Sequence, residues 1–285
     1  MTADDFIAAA SISRDMLGLE IGPSFNGRFR KADGWNVEIA DHAPANELRA
    51  KYASIDGVDV QNIEEVDYIW QGGDLSNLIS HTNYYDFIFA SHVIEHMLDP
   101  IGFMQSCEKL LKPSGKLILI VPDKRHCFDF LRPISTFGNL IESHQTNSRK
   151  HRSGAVFDHY AYTGDLGGHA IWEAGWGHSH KLSPSFSVND VTEAYEIFRK
   201  TLSESEYCDV HAWNFVPSSF RLIMKDLNSV GMIGLREAGF APTHRCEFYF
   251  SASSIASGCP LSRIDIVRDI AREQIQGLSE IIATQ

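Results

Sequence analysis

The sequence predicts an α/β protein with a doubly wound, seven-stranded sheet, an antiparallel closing hairpin and a large inserted lid. Three observations predict it. Apolar runs at 17–21, 36–40, 85–91 and 116–121 alternate with helical patterns, the order of parallel βαβ units with right-handed crossovers. A glycine turn spanning Gly22 to Gly27 follows the first run, and an acidic tip, Asp41-His42, follows the second. Strand, glycine turn, helix, strand and acidic tip together make the ligand-holding half of such a sheet. The chain of 285 residues suffices for one large domain with an insertion.

Taken in order, residues 4–15 read as a short helix leading into the first strand, Leu17–Ile21. The second strand is Asn36–Ala40. A short helix over Asp59–Asp67 and a third strand at Ile69–Gln71 follow. Tyr85–Ser91 is nearly all apolar, as a parallel strand covered on both faces requires. Phe103, Met104, Cys107, Leu110 and Leu111 recur at helical spacing within Pro100–Leu111. Lys112-Pro-Ser-Gly115 stops that helix, and Lys116–Val121 is the fifth strand.

From residue 124 to 214 the pattern changes to a stretch rich in His, Tyr, Trp, Gly and Ser. A structureless loop of that length is implausible in a folded domain. The segment is therefore read as a folded lid, with one clear helix at Val188–Leu202. Pro217–Val230 reads as a helix. Met232–Arg236 and Cys246–Ser251 read as the closing hairpin around a turn at Glu237–Pro242. Residues 261–282 form an amphipathic helix, suited either to packing on its own domain or to pairing with a second copy. The organisation expected is a ligand-binding core at 1–123, a lid at 124–214 and a closing segment at 215–285.

Composition narrows the partners. Formal net charge is −12, which repels nucleic-acid backbones and anionic membranes. Five scattered cysteines without CxxC spacing suit a reducing cytoplasm. The N-terminal residues lack a basic stretch and read as no signal peptide. No apolar run approaches the ~20 residues of a membrane span.

Three segments carry a family resemblance. Leu19-Glu-Ile-Gly-Pro-Ser-Phe-Asn-Gly27, Ala90-Ser-His-Val-Ile-Glu-His-Met-Leu-Asp-Pro100 and Leu110-Leu-Lys-Pro-Ser-Gly-Lys-Leu-Ile-Leu-Ile-Val-Pro122 occur in that order. Together they resemble the first, fourth-strand and fifth-strand motifs of class I S-adenosylmethionine-dependent methyltransferases, which have a Rossmann-like sheet. The resemblance covers residues 15–123 well, the hairpin less well and the lid poorly. Segments such as His211-Ala-Trp-Asn-Phe215 and Pro122-Asp-Lys-Arg125 are similar to those of methyltransferase-domain proteins associated with bacterial glycan assembly. The implied reaction is O-methylation of a saccharide or other polar small molecule, with S-adenosylhomocysteine as product.

The resemblance also implies roles. Glu20 and the Gly22 backbone would hold the methionine end, within the turn that includes Pro23 and Gly27. Asp41, beside His42, would accept two hydrogen bonds from the ribose diol, and charge-assisted bonds of that type are strong. Asp74, beside Leu75, would accept from the adenine amine. Ser91 and His92 end the fourth strand, beneath the transferring methyl. Each has a plainer alternative: Glu20 as a helix-end partner, Asp41 as a turn residue, Glu95 as a charge favouring a helix start, His96 as a packing residue.

A hydroxyl acceptor needs a proton acceptor within reach, and neutral imidazole suits that role. Seven of the 13 histidines lie between residues 144 and 211. Asp158-His159 and His178 stand out as catalytic candidates beside His92. His178 and His180, two apart, would suit a metal only with two further ligands. No cysteine pair supplies them, and no metal is expected.

Two other classes compete. A nicotinamide-dependent oxidoreductase would need the GxGxxG pyrophosphate turn, which Pro23, Ser24 and Phe25 replace. A non-catalytic adenosylmethionine-binding module would keep Gly22 and Asp41 and lack turnover. Hydrolysis lacks a GxSxG elbow.

Overall fold

The structure is a computed structural model that describes residues 1–146, 149–166, 169–170, 172, 186–203 and 207–282. Helix α1 (Ala3–Ala9) starts at Thr2, whose hydroxyl and backbone N–H exchange hydrogen bonds with Asp5 in a capping box. Strands β1 (Gly18–Ile21) and β2 (Val37–Asp41) follow, then helix α2 (Ala45–Tyr52). Next come β3 (Tyr68–Ile69), α3 (Leu75–Ile79), β4 (Tyr85–Ser91), α4 (Pro100–Leu110) and β5 (Leu111–Pro122).

The inserted region carries α5 (Phe137–Thr146) and α6 (Ser153–Tyr162). It then forms β6 (Gly164–Leu166), β7 (His169–Ala170) and β8 (Phe186–Val188), a small antiparallel sheet of order β7-β6-β8, before α7 (Val191–Ser203). Phe157 of α6 meets Phe198 of α7 edge-on, with ring centroids 6.2 Å apart. The chain closes with α8 (Pro217–Ser229), β9 (Arg236–His244), β10 (Glu247–Ser253) and α9 (Arg263–Ile282). Asp123 and Phe215 form a parallel bridge, so the inserted region leaves and re-enters the sheet at adjacent points.

The main sheet has the order β3-β2-β1-β4-β5-β10-β9. The first five strands are parallel, and the hairpin adds antiparallel to β5. Strand alternation builds two cores. Ile88 and Ala90 face the α4 and α8 side with Leu19, Met104, Phe220 and Phe248. Phe87 and Phe89 face the α1 side with Phe6, Phe29, Ile118 and Tyr249. This period of two explains why β4 reads as one continuous apolar run: both of its faces are covered.

Four expectations need correction. The helix expected over Asp59–Asp67 is a single 3-10 turn at Val60–Asn62, while helices α2 and α3 fall where the sequence shows little apolar periodicity; α3 is five residues long and rests on its Asp74 cap. The third strand starts one residue before its expected position and holds two residues, because it pairs with only the last two of β2. Lys112–Gly115 belong to β5, so helix and strand meet without a loop. The hairpin turn lies at Arg245-Cys246, where Arg245 has φ +59°, and Glu237–Pro242 are strand. Strand β9 is the sheet edge, where Pro242 need not donate to a ladder. Helix α9 lays Ile266 and Ile270 against Val216, so it packs on its own chain.

Candidate active site

In an open α/β sheet the ligand crevice lies beyond the carboxyl ends of the strands, where strand order reverses. That point is between β1 and β4, because β1 has β2 on its other side. Gly22, Asp41-His42 and Ser91-His92 stand at the three strand ends there.

The loop after β1 turns at Gly22, which has φ +65°. A Cβ there would lie 2.9 Å from Val93 Cγ2, so only glycine fits. Pro23 accepts the Asn26 amide at 2.8 Å and closes the next turn. Gly27 has ordinary φ and space for a Cβ, 3.6 Å from Pro23 and 3.8 Å from Glu20 Oε2, so neither clash nor φ demands glycine there. The Glu20 carboxylate is buried and accepts the Arg28 and Phe29 amides at 2.7 and 3.0 Å. Burial drives its pKa up to about 7 against the pull of those two amides. Glu20 therefore shapes the loop from beneath.

Asp41 is 2% exposed. Its Oδ2 accepts the Ser24 amide at 2.7 Å, and its Oδ1 accepts the His42 amide at 2.7 Å. His42 Nδ1 lies 2.6 Å from the same Oδ1, and its Nε2 lies 3.2 Å from Lys51 Nζ. The acidic tip thus ties β1, β2 and α2 together.

Asp74 needs a different role from that expected. Its carboxylate accepts the Ser76 amide at 2.9 Å and the Ser106 hydroxyl at 2.9 Å, with Lys109 Nζ at 3.5 Å. Burial works against ionisation there, and the Ser76 and Ser106 bonds still hold the carboxyl below its ordinary range. This engagement makes Asp74 the α3 cap and its link to α4, while the Leu75 side chain is core.

Ser91 is the half-buried last residue of β4. His92, just beyond, has φ +54°, a left-handed conformation that non-glycine residues adopt at a cost. Its amide still donates to Ile120, so the turn is anchored to β5. The ring then reaches across β5 to Glu247 of β10, with Nε2 2.7 Å from Oε2. Burial disfavours the imidazolium, but the Glu247 bond and the nearby Glu95 charge outweigh it and raise the His92 pKa. Trp172 of the inserted region lies 5.2 Å from the His92 ring, stacks on Phe128 and meets His211 at 5.7 Å.

Of the other catalytic candidates, Asp158 and His159 lie in α6, where adjacent residues point apart. Asp158 makes no side-chain hydrogen bond or ion pair among the described residues. Burial drives the His159 pKa down to about 4, which leaves a weak base. His178, and with it His180, lies outside the described residues.

The cluster that sequence reasoning did not assemble surrounds Glu95. His211 Nδ1 lies 2.5 Å from Asp129, which also pairs with Arg132 at 2.8 Å; all three are buried. His211 reaches the β4 end because the amides of Ala212 and Trp213 both donate to the Glu95 carbonyl. The two halves are more than 100 residues apart, and no spacing rule joins them.

The strand order, the Gly22 turn and the acidic tip define a class I methyltransferase fold, the class whose cofactor is S-adenosylmethionine. A family model described as a methyltransferase domain matches residues 6–172, and the chain belongs to that family. Among solved structures, the CcbJ methyltransferase from Streptomyces caelestis is 22% identical, covering 42% of this chain and 51% of its own, with a TM-score of 0.30. The trans-methyltransferase CalH, solved with SAH, is 12% identical, covering 83% and 51%, with a TM-score of 0.39. The glycopeptide N-methyltransferase MtfA, solved with S-adenosylmethionine, is 17% identical, covering 41% and 52%, with a TM-score of 0.29. The chain spans about half the length of these structures. Among curated proteins none matches it.

Proposed function

We propose that this chain is an S-adenosylmethionine-dependent methyltransferase acting on a hydroxyl of a saccharide or similar polar small molecule. The observation that carries the reading is His92. Its ring stands at the carboxyl end of β4, held by Glu247, and among the described residues Nδ1 has no hydrogen-bond partner.

The strand ends fit the cofactor. A Cβ at Gly22 would fill the cradle, and the Asp41 carboxylate stands at the β2 tip where a ribose diol would be held. The Gly22 backbone would hold the methionine end, in a loop that Glu20 shapes through the Arg28 and Phe29 amides, with Pro23, Gly27 and His42 completing the wall. Asp74, engaged between α3 and α4, is not retained for the adenine. The bound cofactor supplies an electrophilic methyl group.

The chain's own part is alignment, exclusion of water and removal of one proton. His92 Nδ1 is the atom to accept the acceptor's hydroxyl proton, and Glu247 holds the ring in place. The inserted region at 124–214 supplies the acceptor side, its aromatic wall including Phe128 and Trp172. Flat apolar rings beside polar groups suit a sugar face. Five free cysteines favour a reducing cytoplasm, and no described helix is long and apolar enough to cross a membrane.

Calorimetric titration with S-adenosylhomocysteine, with NAD in parallel, tests the cofactor. Micromolar binding of the first alone supports the reading; binding of NAD alone revives the oxidoreductase. Turnover of labelled S-adenosylmethionine with saccharide acceptors then separates an enzyme from a binding module.

A further inference from the structure

Glu95 is 0% exposed, and among the described residues neither carboxylate oxygen has a hydrogen-bond partner. A buried lone carboxylate costs several kcal/mol unless a cation or donors compensate it. Its backbone cannot shift it towards water, because the Glu95 carbonyl holds the Ala212 and Trp213 amides.

Three imidazole nitrogens face it. From Glu95 Oε1, His92 Nδ1 is at 3.6 Å, His96 Nε2 at 3.9 Å and His211 Nε2 at 3.9 Å. None is close enough for a direct hydrogen bond. In each ring the opposite nitrogen lies beside a carboxylate: Glu247 at 2.7 Å, Asp209 at 2.8 Å and Asp129 at 2.5 Å. A carboxylate there accepts a hydrogen bond from the ring N–H, which leaves the inward nitrogen of the neutral ring as a lone-pair donor, the arrangement found around histidines that bind metals.

We propose that Glu95, His96 and His211 form a binding site for one first-row divalent cation. The ligand atoms of those three residues lie within 4.8 Å of one another. Around one ion with bonds of ~2.0 Å, tetrahedral donors stand ~3.3 Å apart, so binding draws these side chains in by under about an ångström. Two imidazoles and one carboxylate select zinc, iron, manganese or cobalt, and disfavour magnesium and calcium, which take oxygen donors. The ion supplies the countercharge that the buried Glu95 carboxylate needs. Metal binding stands on this donor set and not on the methyltransferase reading.

The test uses the full chain, stripped with EDTA and titrated with Co2+ without adenosylmethionine or acceptor. Visible d–d absorption and calorimetry follow the uptake. One Co2+ per chain is expected, with bands of a low-coordinate N/O site. Glu95→Gln, which keeps the shape and removes the buried charge, is expected to weaken binding by at least ~100-fold, and His211→Gln similarly. The outer variant Asp209→Asn is expected to lose ~10–100-fold. Circular dichroism checks that each variant is folded. No stoichiometric uptake by the wild type at ~1 mM Co2+ overturns the proposal. Equal uptake by wild type and a folded Glu95→Gln or His211→Gln also overturns it. A methyltransferase without a metal would bind S-adenosylhomocysteine and fail here, so the two readings fail separately.

Discussion

The Asp41 carboxylate accepts the Ser24 amide at 2.7 Å, which locks the tip of β2 to the loop after β1. The bond ties together two of the strand ends that flank the candidate crevice. The same carboxylate orients His42, so a single side chain sets the shape of the rim.

Replacing Asp41 by Ala removes a charged acceptor from that rim. S-adenosylhomocysteine affinity is expected to fall by ~1–3 kcal/mol. Calorimetry reads it directly, and unchanged affinity would take Asp41 out of the site.

Gly22→Ala places a Cβ in a left-handed conformation and against Val93. Stability is expected to drop by ~1–2 kcal/mol from backbone strain alone, more with the clash. Thermal unfolding should show a lower Tm and calorimetry a weaker cofactor; a wild-type Tm would mean that the loop repacks freely.

Glu20 makes stability depend on pH. Its ordinary pKa of 4.5 is raised to about 7 in the fold by burial. The unfolded chain loses this proton first, so the contribution is complete below about pH 4.5 and is lost as pH rises through about 7. The difference is ~3 kcal/mol. Denaturant unfolding between pH 4.5 and 8 is expected to show a decline that Glu20→Gln flattens. An unchanged slope in that variant would assign the decline to other groups.

Removing the proposed proton acceptor, in His92→Ala, is expected to cost ~10²–10⁴-fold in kcat. S-adenosylhomocysteine binding should stay within a few-fold of wild type, because His92 is held by β10 and not by the Gly22 loop. Full turnover by the variant would move the base elsewhere in the cluster.

The strand ends of the core were legible because their constraints are local. Gly22 is set by φ and by Val93, and β4 by apolar residues on both faces of one strand. Asp74 misled because an acidic residue after a strand suits a ligand and a helix cap equally, and only Ser106 decides between them. The hairpin misled because Gly239 and Pro242 signal a turn unless the strand lies at an edge.

The sequence by itself determined the α/β class, the Gly22 turn and the acidic tip, all governed by periodicity and backbone sterics over a few residues. Only the tertiary structure decided what surrounds Glu95. His92 and His96 come from the β4 end, Asp129 from the start of the insertion, His211 from its return and Glu247 from the hairpin. Their meeting depends on where the sheet brings distant segments together, and buried charge takes its partners from space, whatever their separation along the chain.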